Sequence, residues 1–248
     1  MTADGALRIN KYLSERGLCS RREADAWIAA RRVTVNGAVA TLGTKVGAAD
    51  EVRLDGEPLG APSHHVYIAL HKPVGVECTT DQRVPHNIVD FVAHPERVFP
   101  IGRLDKDSEG LILLTNDGDI VNLLLRAEHS HEKEYLVTVD RPLTDEFLKA
   151  MAAGVEILGT LTAPCRTERV SKNVFRIVLT QGLNRQIRRM CDVFGYTVRR
   201  LVRVRFVSVR LEGLEPGRWR NLTRAELAAL LPERFGRGRR AAPTETSR

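Results

Sequence analysis

At 248 residues, the chain has room for one small module and one larger domain. Hydrophobic residues make up 43% and charged residues 28%, which excludes an intrinsically disordered chain and indicates a soluble protein with a packed core. The formal net charge of +7 is concentrated at 8–32 and 185–224, so a polyanionic partner is expected, because phosphates reward cations gathered on one face.

In chain order, Leu7, Ile9, Tyr12 and Leu13 sketch a short helix that Gly17 can end. Ser20 followed by Glu23 forms a capping box that opens a second helix, in which Ala24, Trp27 and Ile28 recur at helical spacing. Val33-Thr34-Val35-Asn36-Gly37 reads as a strand with a tight turn, and short strands follow near 46 and 51–56. Residues 61–65, with Pro62 and Ser63, read as a linker.

Strands are then predicted at 66–70, 74–79, 98–101, 111–115, 135–139, 174–180, 198–204 and 207–211. Helices are predicted at 88–92, 119–126, 144–153, 185–194 and 224–231. Many strands with a few interspersed helices argue for an α+β domain over 66–232, built on a mostly antiparallel mixed sheet with flanking helices. The tail, 236–248, lacks apolar periodicity and is expected to be disordered and basic.

The four cysteines, Cys19, Cys78, Cys165 and Cys191, are scattered without a C-x-x-C, so neither a zinc knuckle nor a redox pair is expected. No apolar run reaches membrane-spanning length, and a cytoplasmic protein is the expectation. The seven histidines show no metal-ligand spacing.

Two segments carry the chemistry. Gly102-Arg103-Leu104-Asp105-Lys106-Asp107-Ser108-Glu109-Gly110 places Asp105 at the mouth of an apolar strand, where a carboxylate is costly unless it is paired. The loop imitates the opening of a calcium motif, but the twelfth position, which needs a bidentate acid, is Asn116. The second segment, Gly182 to Arg189, sets Arg185, Arg188 and Arg189 opposite an apolar stripe of Ile187, Met190, Cys191 and Phe194. Arginines at a helix start make an anion site, and any of the three can serve as a partner for Asp105.

Arg8-Ile9-Asn10-Lys11-Tyr12-Leu13, Ser20-Arg21-Arg22-Glu23-Ala24 and Val33-Thr34-Val35-Asn36-Gly37 together resemble an S4 RNA-binding domain spanning 7–60. That resemblance implies phosphate contacts at Arg8, Lys11, Arg21 and Arg22. Gly102-Arg103-Leu104-Asp105, His131-Glu132-Lys133-Glu134-Tyr135 and Gln181-Gly182-Leu183-Asn184-Arg185-Gln186-Ile187-Arg188 resemble, in order, three motifs of the RsuA family of pseudouridine synthases.

The family resemblance implies an S4 domain followed by a synthase domain that isomerises uridine within RNA. Asp105 would be the catalytic carboxylate, Arg188 its cationic partner, Tyr135 the ring facing the target base, and Arg103 the side chain filling the space the base leaves. Leu104, Lys106, Arg185, Gln186 and Ile187 would complete the substrate site, with Leu179 as an apolar floor. The implied partner is 23S ribosomal RNA, with a tRNA anticodon loop as a second substrate, and a monomer is the default state. The isomerisation involves no redox change and no external group donor, so no cofactor and no metal are expected.

Two other function classes compete with this one. A non-catalytic S4-containing assembly factor would bind RNA without converting it. Metal-dependent RNA hydrolysis would need a carboxylate cluster that the sequence does not supply.

Overall fold

The computed structural model describes residues 6–60, 64–125 and 131–236. The first part contains β1 (Leu7–Arg8), α1 (Ile9–Glu15), α2 (Arg21–Ala29), β2 (Val33–Val35), β3 (Ala38–Val39), β4 (Lys45–Val46), β5 (Val52–Leu54) and β6 (Glu57–Pro58). The capping box forms as read: Ser20 Oγ accepts from the Glu23 amide at 3.2 Å, and Glu23 accepts from the Ser20 amide at 2.6 Å. Ile9, Leu13, Ala24, Ile28, Val33 and Val52 close a small core between the helices and a four-stranded sheet ordered β3-β2-β5-β6.

The second part opens with β7 (Tyr67–Lys72), α3 (Ile88–Val92), β8 (Phe99–Ile101), β9 (Glu109–Thr115), α4 (Gly118–Leu125) and β10 (Lys133–Val139). It continues with α5 (Asp145–Ala153), β11 (Glu156–Ile157), β12 (Thr160–Leu161), β13 (Arg166–Ser171), β14 (Val174–Leu179) and α6 (Gln186–Val193). Finally come β15 (Val198–Phe206), β16 (Val209–Arg210), β17 (Trp219–Asn221), α7 (Arg224–Leu230) and α8 (Pro232–Phe235).

Nine of these strands form one sheet, ordered β13-β14-β10-β15-β9-β7-β17, with β16 added to β15 and β8 to β9. Every pairing in it is antiparallel except β15 with β9. The mixed α+β architecture is therefore the one expected from the sequence.

The sheet has two halves of different character. In β7 and β9 both faces are buried: Ile68, Leu70, Ile112 and Leu114 pack toward α3, while Ala69, Leu111 and Leu113 pack toward α4 and α7. In the other half, one face carries Val137, Phe175, Ile177 and Leu201 against α5 and α6. Its opposite face is laced with ion pairs, Arg205 with Glu134 at 2.7 Å and Arg176 with Glu168 at 2.9 Å. The halves meet at the parallel joint, where Gly110 pairs with Arg203.

The segment predicted as a strand at 74–79 is instead a loop, with a single bridge from Glu77 to Asn87. Val74 is exposed and Gly75 takes φ +94°, so the backbone turns over the site rather than joining the sheet. The proposed linker falls partly, and the tail almost wholly, outside the described residues. Two ion pairs join the two parts, Lys11 with Asp119 at 2.7 Å and Glu23 with Arg97 at 2.9 Å. Among the described residues no helix is long and apolar enough to cross a membrane.

Candidate active site

An open cleft of about 1160 Å³ lies over the parallel joint, and the loop between β8 and β9 forms one wall. Asp105 sits in that loop with about a third of its side chain exposed. The loop is fixed from several directions. Ser108 donates its amide to the Asp105 carbonyl at 3.1 Å, and the Gly75 amide donates to the Lys106 carbonyl at 2.8 Å. The Leu104 amide donates to Cys78 Sγ at 3.4 Å.

The cationic neighbours are arranged differently from the pairing expected. Arg185 donates to both Asp107 oxygens, at 3.0 and 2.9 Å, and comes within 3.9 Å of Asp105 Oδ2. Arg188 does not pair with Asp105. Its Nη2 donates to the Asp107 carbonyl at 2.8 Å and to Ser108 Oγ at 3.3 Å, and its Nη1 donates to the Val198 carbonyl at 3.3 Å. Arg188 is thus a bracket that ties the acidic loop to the start of β15, while Arg185 brings positive charge to Asp105. The reason is reach. Arg185 caps α6 in a left-handed conformation (φ +51°), which directs it toward the loop, whereas Arg188 lies one turn in and is largely buried.

The bidentate guanidinium of Arg185 holds the Asp107 carboxyl below the usual carboxylate range, with Arg188 assisting, and raises Arg185 in return. Asp107 is therefore ionised at neutral pH and spends the charge of Arg185 on itself. Asp105 shares the remainder at longer range.

Tyr135 lies in β10, lines the cleft, and its hydroxyl makes no hydrogen bond to any described residue. Leu179 and Leu104 are buried at the cleft margin. Arg103 and Lys106 stand exposed at the rim, and neither forms an ion pair among the described residues.

Two other expected contacts, Gln186 and Ile187, line the cleft while packing inward. Gln186 is buried and accepts from the Leu183 amide at 2.9 Å, so its amide group shapes the loop before α6 instead of facing outward. Ile187 belongs to the core beneath α6. In the N-terminal part Arg8, Arg21 and Arg22 are exposed, but Lys11 is held by Asp119 and Glu15.

Three cations in the cleft region escaped the sequence reading. Lys72 is fully buried at the end of β7, where Nζ donates to the carbonyls of Pro73 (2.9 Å) and Val76 (2.8 Å). Burial lowers its pKa, opposed by Cys78, Asp107 and Asp105. Lys133 donates to the Thr180 carbonyl at 2.9 Å, and burial, then Arg203, lowers its pKa. Arg203, in β15, is only 3% exposed. Arg203 follows buried Leu201 by two residues and Lys72 closes an apolar strand, patterns that exposed cations share and that do not mark these as buried.

A part-exposed carboxylate in an open cleft that several cations and Tyr135 also line suits chemistry on a single extruded nucleoside. The RNA pseudouridylate synthase family signature matches residues 66–192, and the S4 domain signature matches 7–52. The chain belongs to the RNA pseudouridylate synthase family, enzymes that isomerise uridine within RNA.

Among its relatives, the dual-specificity RNA pseudouridine synthase RluF of Escherichia coli (strain K12) is 56% identical over 233 residues, covering 93% of this chain and 80% of that protein. The ribosomal large subunit pseudouridine synthase B of Bacillus subtilis (strain 168) is 34% identical over 232 residues, covering 90% and 95%. A crystal structure of a pseudouridylate synthase superposes with TM-score 0.66 at 30% identity, covering 90% of this chain and 99% of that one.

Proposed function

We propose that the chain converts a defined uridine of 23S ribosomal RNA to pseudouridine, with a tRNA anticodon loop as a second substrate. In this reading, residues 7–60 act as an S4 module that grips the RNA backbone through Arg8, Arg21 and Arg22. Residues 66–232 carry the chemistry. The likeness to RluF, named for dual specificity, and to a large-subunit synthase supports the choice of RNA.

The target uridine leaves its stack at an expense of a few kcal/mol, offset by the basic contacts around it. Arg103, exposed at the rim, takes up the space the base vacates, and the base comes to lie against Tyr135. Asp105 then initiates release, either by bonding a carboxylate oxygen to C1′ or by taking the C2′ proton. In both routes the electron pair of the C1′–N1 bond leaves with uracil. The base turns and C5 bonds to C1′ as the Asp105–C1′ bond breaks or, in the second route, as Asp105 returns its proton to C2′; C5 then loses its proton and N1 gains one. Arg185 brings positive charge within 3.9 Å of Asp105, while Asp107 and Arg188 hold the loop that carries it.

The observation that carries this reading is the position of Asp105: part-exposed in the cleft, 3.9 Å from the Arg185 guanidinium. To test it, unmodified 23S ribosomal RNA, 16S ribosomal RNA and tRNA would be incubated with the protein and new pseudouridines mapped. The expected outcome is one position in 23S RNA and one in a tRNA anticodon loop. Marks confined to 16S RNA would overturn the substrate assignment.

A further inference from the structure

Arg203 lies in the floor of the cleft with both Nη nitrogens of its guanidinium unengaged by any described residue. Its Nε donates to the Leu111 carbonyl at 2.6 Å, and its cation stands 5.6 Å from the Phe206 ring centroid. The two Nη nitrogens find no hydrogen-bond partner among the described residues, and no described carboxylate pairs with the group. A buried charge is normally paired, because taking it out of water unpaired is expensive. Here the neighbouring charges add to the demand, since Lys133 is also a cation and feels Arg203 as a repulsion.

The backbone places this side chain deliberately. The register between β10 and β15 runs Glu134 with Arg205 and then Tyr135 with Arg203, skipping Val204. A bulge of this kind re-aims side chains and is common beside active sites. On the other flank Arg203 faces Gly110, at φ +113°, where an added Cβ would come within 2.5 Å of the Arg203 amide. Glycine thus lets β9 close against β15, and Arg203 is pinned between two strands beneath the cleft.

Resting on the function proposed above, we propose that Arg203 donates a hydrogen bond to a carbonyl oxygen of the extruded uracil and stabilises the charge that oxygen gains on release. Depth separates this from a phosphate contact. Phosphates stay at the rim, where Arg103, Lys106 and Arg185 are exposed; only the base reaches the sheet. Tyr135 is the direct cross-strand partner of Arg203, so a base lying on that ring brings its edge to the guanidinium.

The chemistry is complementary as well. Arginine only donates hydrogen bonds, and uracil offers two carbonyl acceptors. When the C1′–N1 pair departs with uracil, the negative charge spreads onto those oxygens, and a preorganised donor in a low-dielectric floor strengthens its hold at that moment. C1′ is compensated by a bond to Asp105 or by a double bond to C2′, so the step balances without a further reactant.

The test uses the full chain with Arg203→Met and Arg203→Lys. Single-turnover conversion is measured at saturating RNA, alongside the Kd for the same RNA carrying an abasic target nucleotide. Arg203→Met is expected to slow conversion on the order of 100-fold, with Arg203→Lys recovering about tenfold and abasic-RNA affinity unchanged in both. Conversion by Arg203→Met at the wild-type rate would overturn the proposal. So would a loss of abasic-RNA affinity parallel to the loss of rate, which marks a backbone contact. If Arg203→Met does not fold, Arg203→Lys decides alone, since it keeps charge while shortening the donor. Failure of the wild-type protein to convert uridine would instead sink the function itself.

Discussion

Asp107 is the residue through which the acidic loop is held to α6. Two hydrogen bonds from Arg185 and one contact from Arg188 Nε, at 3.4 Å, converge on its carboxylate. The pair is about half exposed, so its worth to global stability is small, about 1 kcal/mol or less. Its worth to the site is larger, because Asp105 has no hydrogen bond to a cation of its own. Asp107→Asn is expected to lower the single-turnover rate about tenfold or more while moving the unfolding free energy by less than about 1 kcal/mol. Equal rates in variant and wild type, measured at saturating RNA, would show that the clamp does not position Asp105.

At this scale, legibility in the sequence followed solvent exposure and local motif. Asp105 and Arg103 could be singled out because a charged loop abutting Leu111–Leu114 is conspicuous in one dimension. Lys72, Lys133 and Arg203 could not, because nothing local distinguishes a lysine or arginine that tertiary packing will bury from one that remains in water. The Arg185–Arg188 exchange had the same root: it turned on a left-handed backbone at position 185 that no residue type announced.

Among the elements, those with a strong period or a cap were readable and those at the sheet edge were not. Helix α3 was anticipated at 88–92 and found at Ile88–Val92, with α5 starting just after its Thr144 cap. Strand β13, Arg-Thr-Glu-Arg-Val-Ser, was missed because it lies at the edge of the sheet with nearly every side chain exposed, and so has no apolar alternation. The reverse error at 74–79 came from valines that line a loop.

Helix α7 illustrates how a cap and an ion pair combine. Thr223 Oγ1 accepts from the Glu226 amide at 3.2 Å, and Glu226 accepts from the Thr223 amide at 2.8 Å and from Arg220 at 2.7 Å. Arg220 first, and then the cap, hold the Glu226 carboxyl at about 2. Because the folded value is depressed, this contribution is full above the ordinary glutamate pKa of about 4.3 and fades as pH falls toward the folded value. Glu226→Gln is expected to cost about 1 kcal/mol at pH 7 by denaturant unfolding, with the difference from wild type shrinking below pH 4. A difference independent of pH would show that the ion pair contributes nothing.

At the scale of the whole molecule, the proposed RNA grip and the proposed chemistry fall in different parts. The exposed arginines of α2 lie in the S4 part, while the carboxylate lies in the cleft of the larger sheet, and Lys11–Asp119 and Glu23–Arg97 connect the two. The basic excess announced a nucleic-acid partner, and the order of elements announced the two-part architecture. How the parts touch was not readable, since Lys11, which the S4 pattern assigns to RNA, is committed to Asp119.

This division makes the central claim separable from binding. Asp105→Asn preserves the size of the side chain and removes the charge proposed to initiate release of uracil. With a 23S ribosomal RNA fragment containing the mapped uridine, its single-turnover conversion should fall below detection. Its Kd should stay within about threefold of wild type, because phosphate contacts dominate affinity. Pseudouridine formed by Asp105→Asn at a rate comparable to wild type would contradict the account.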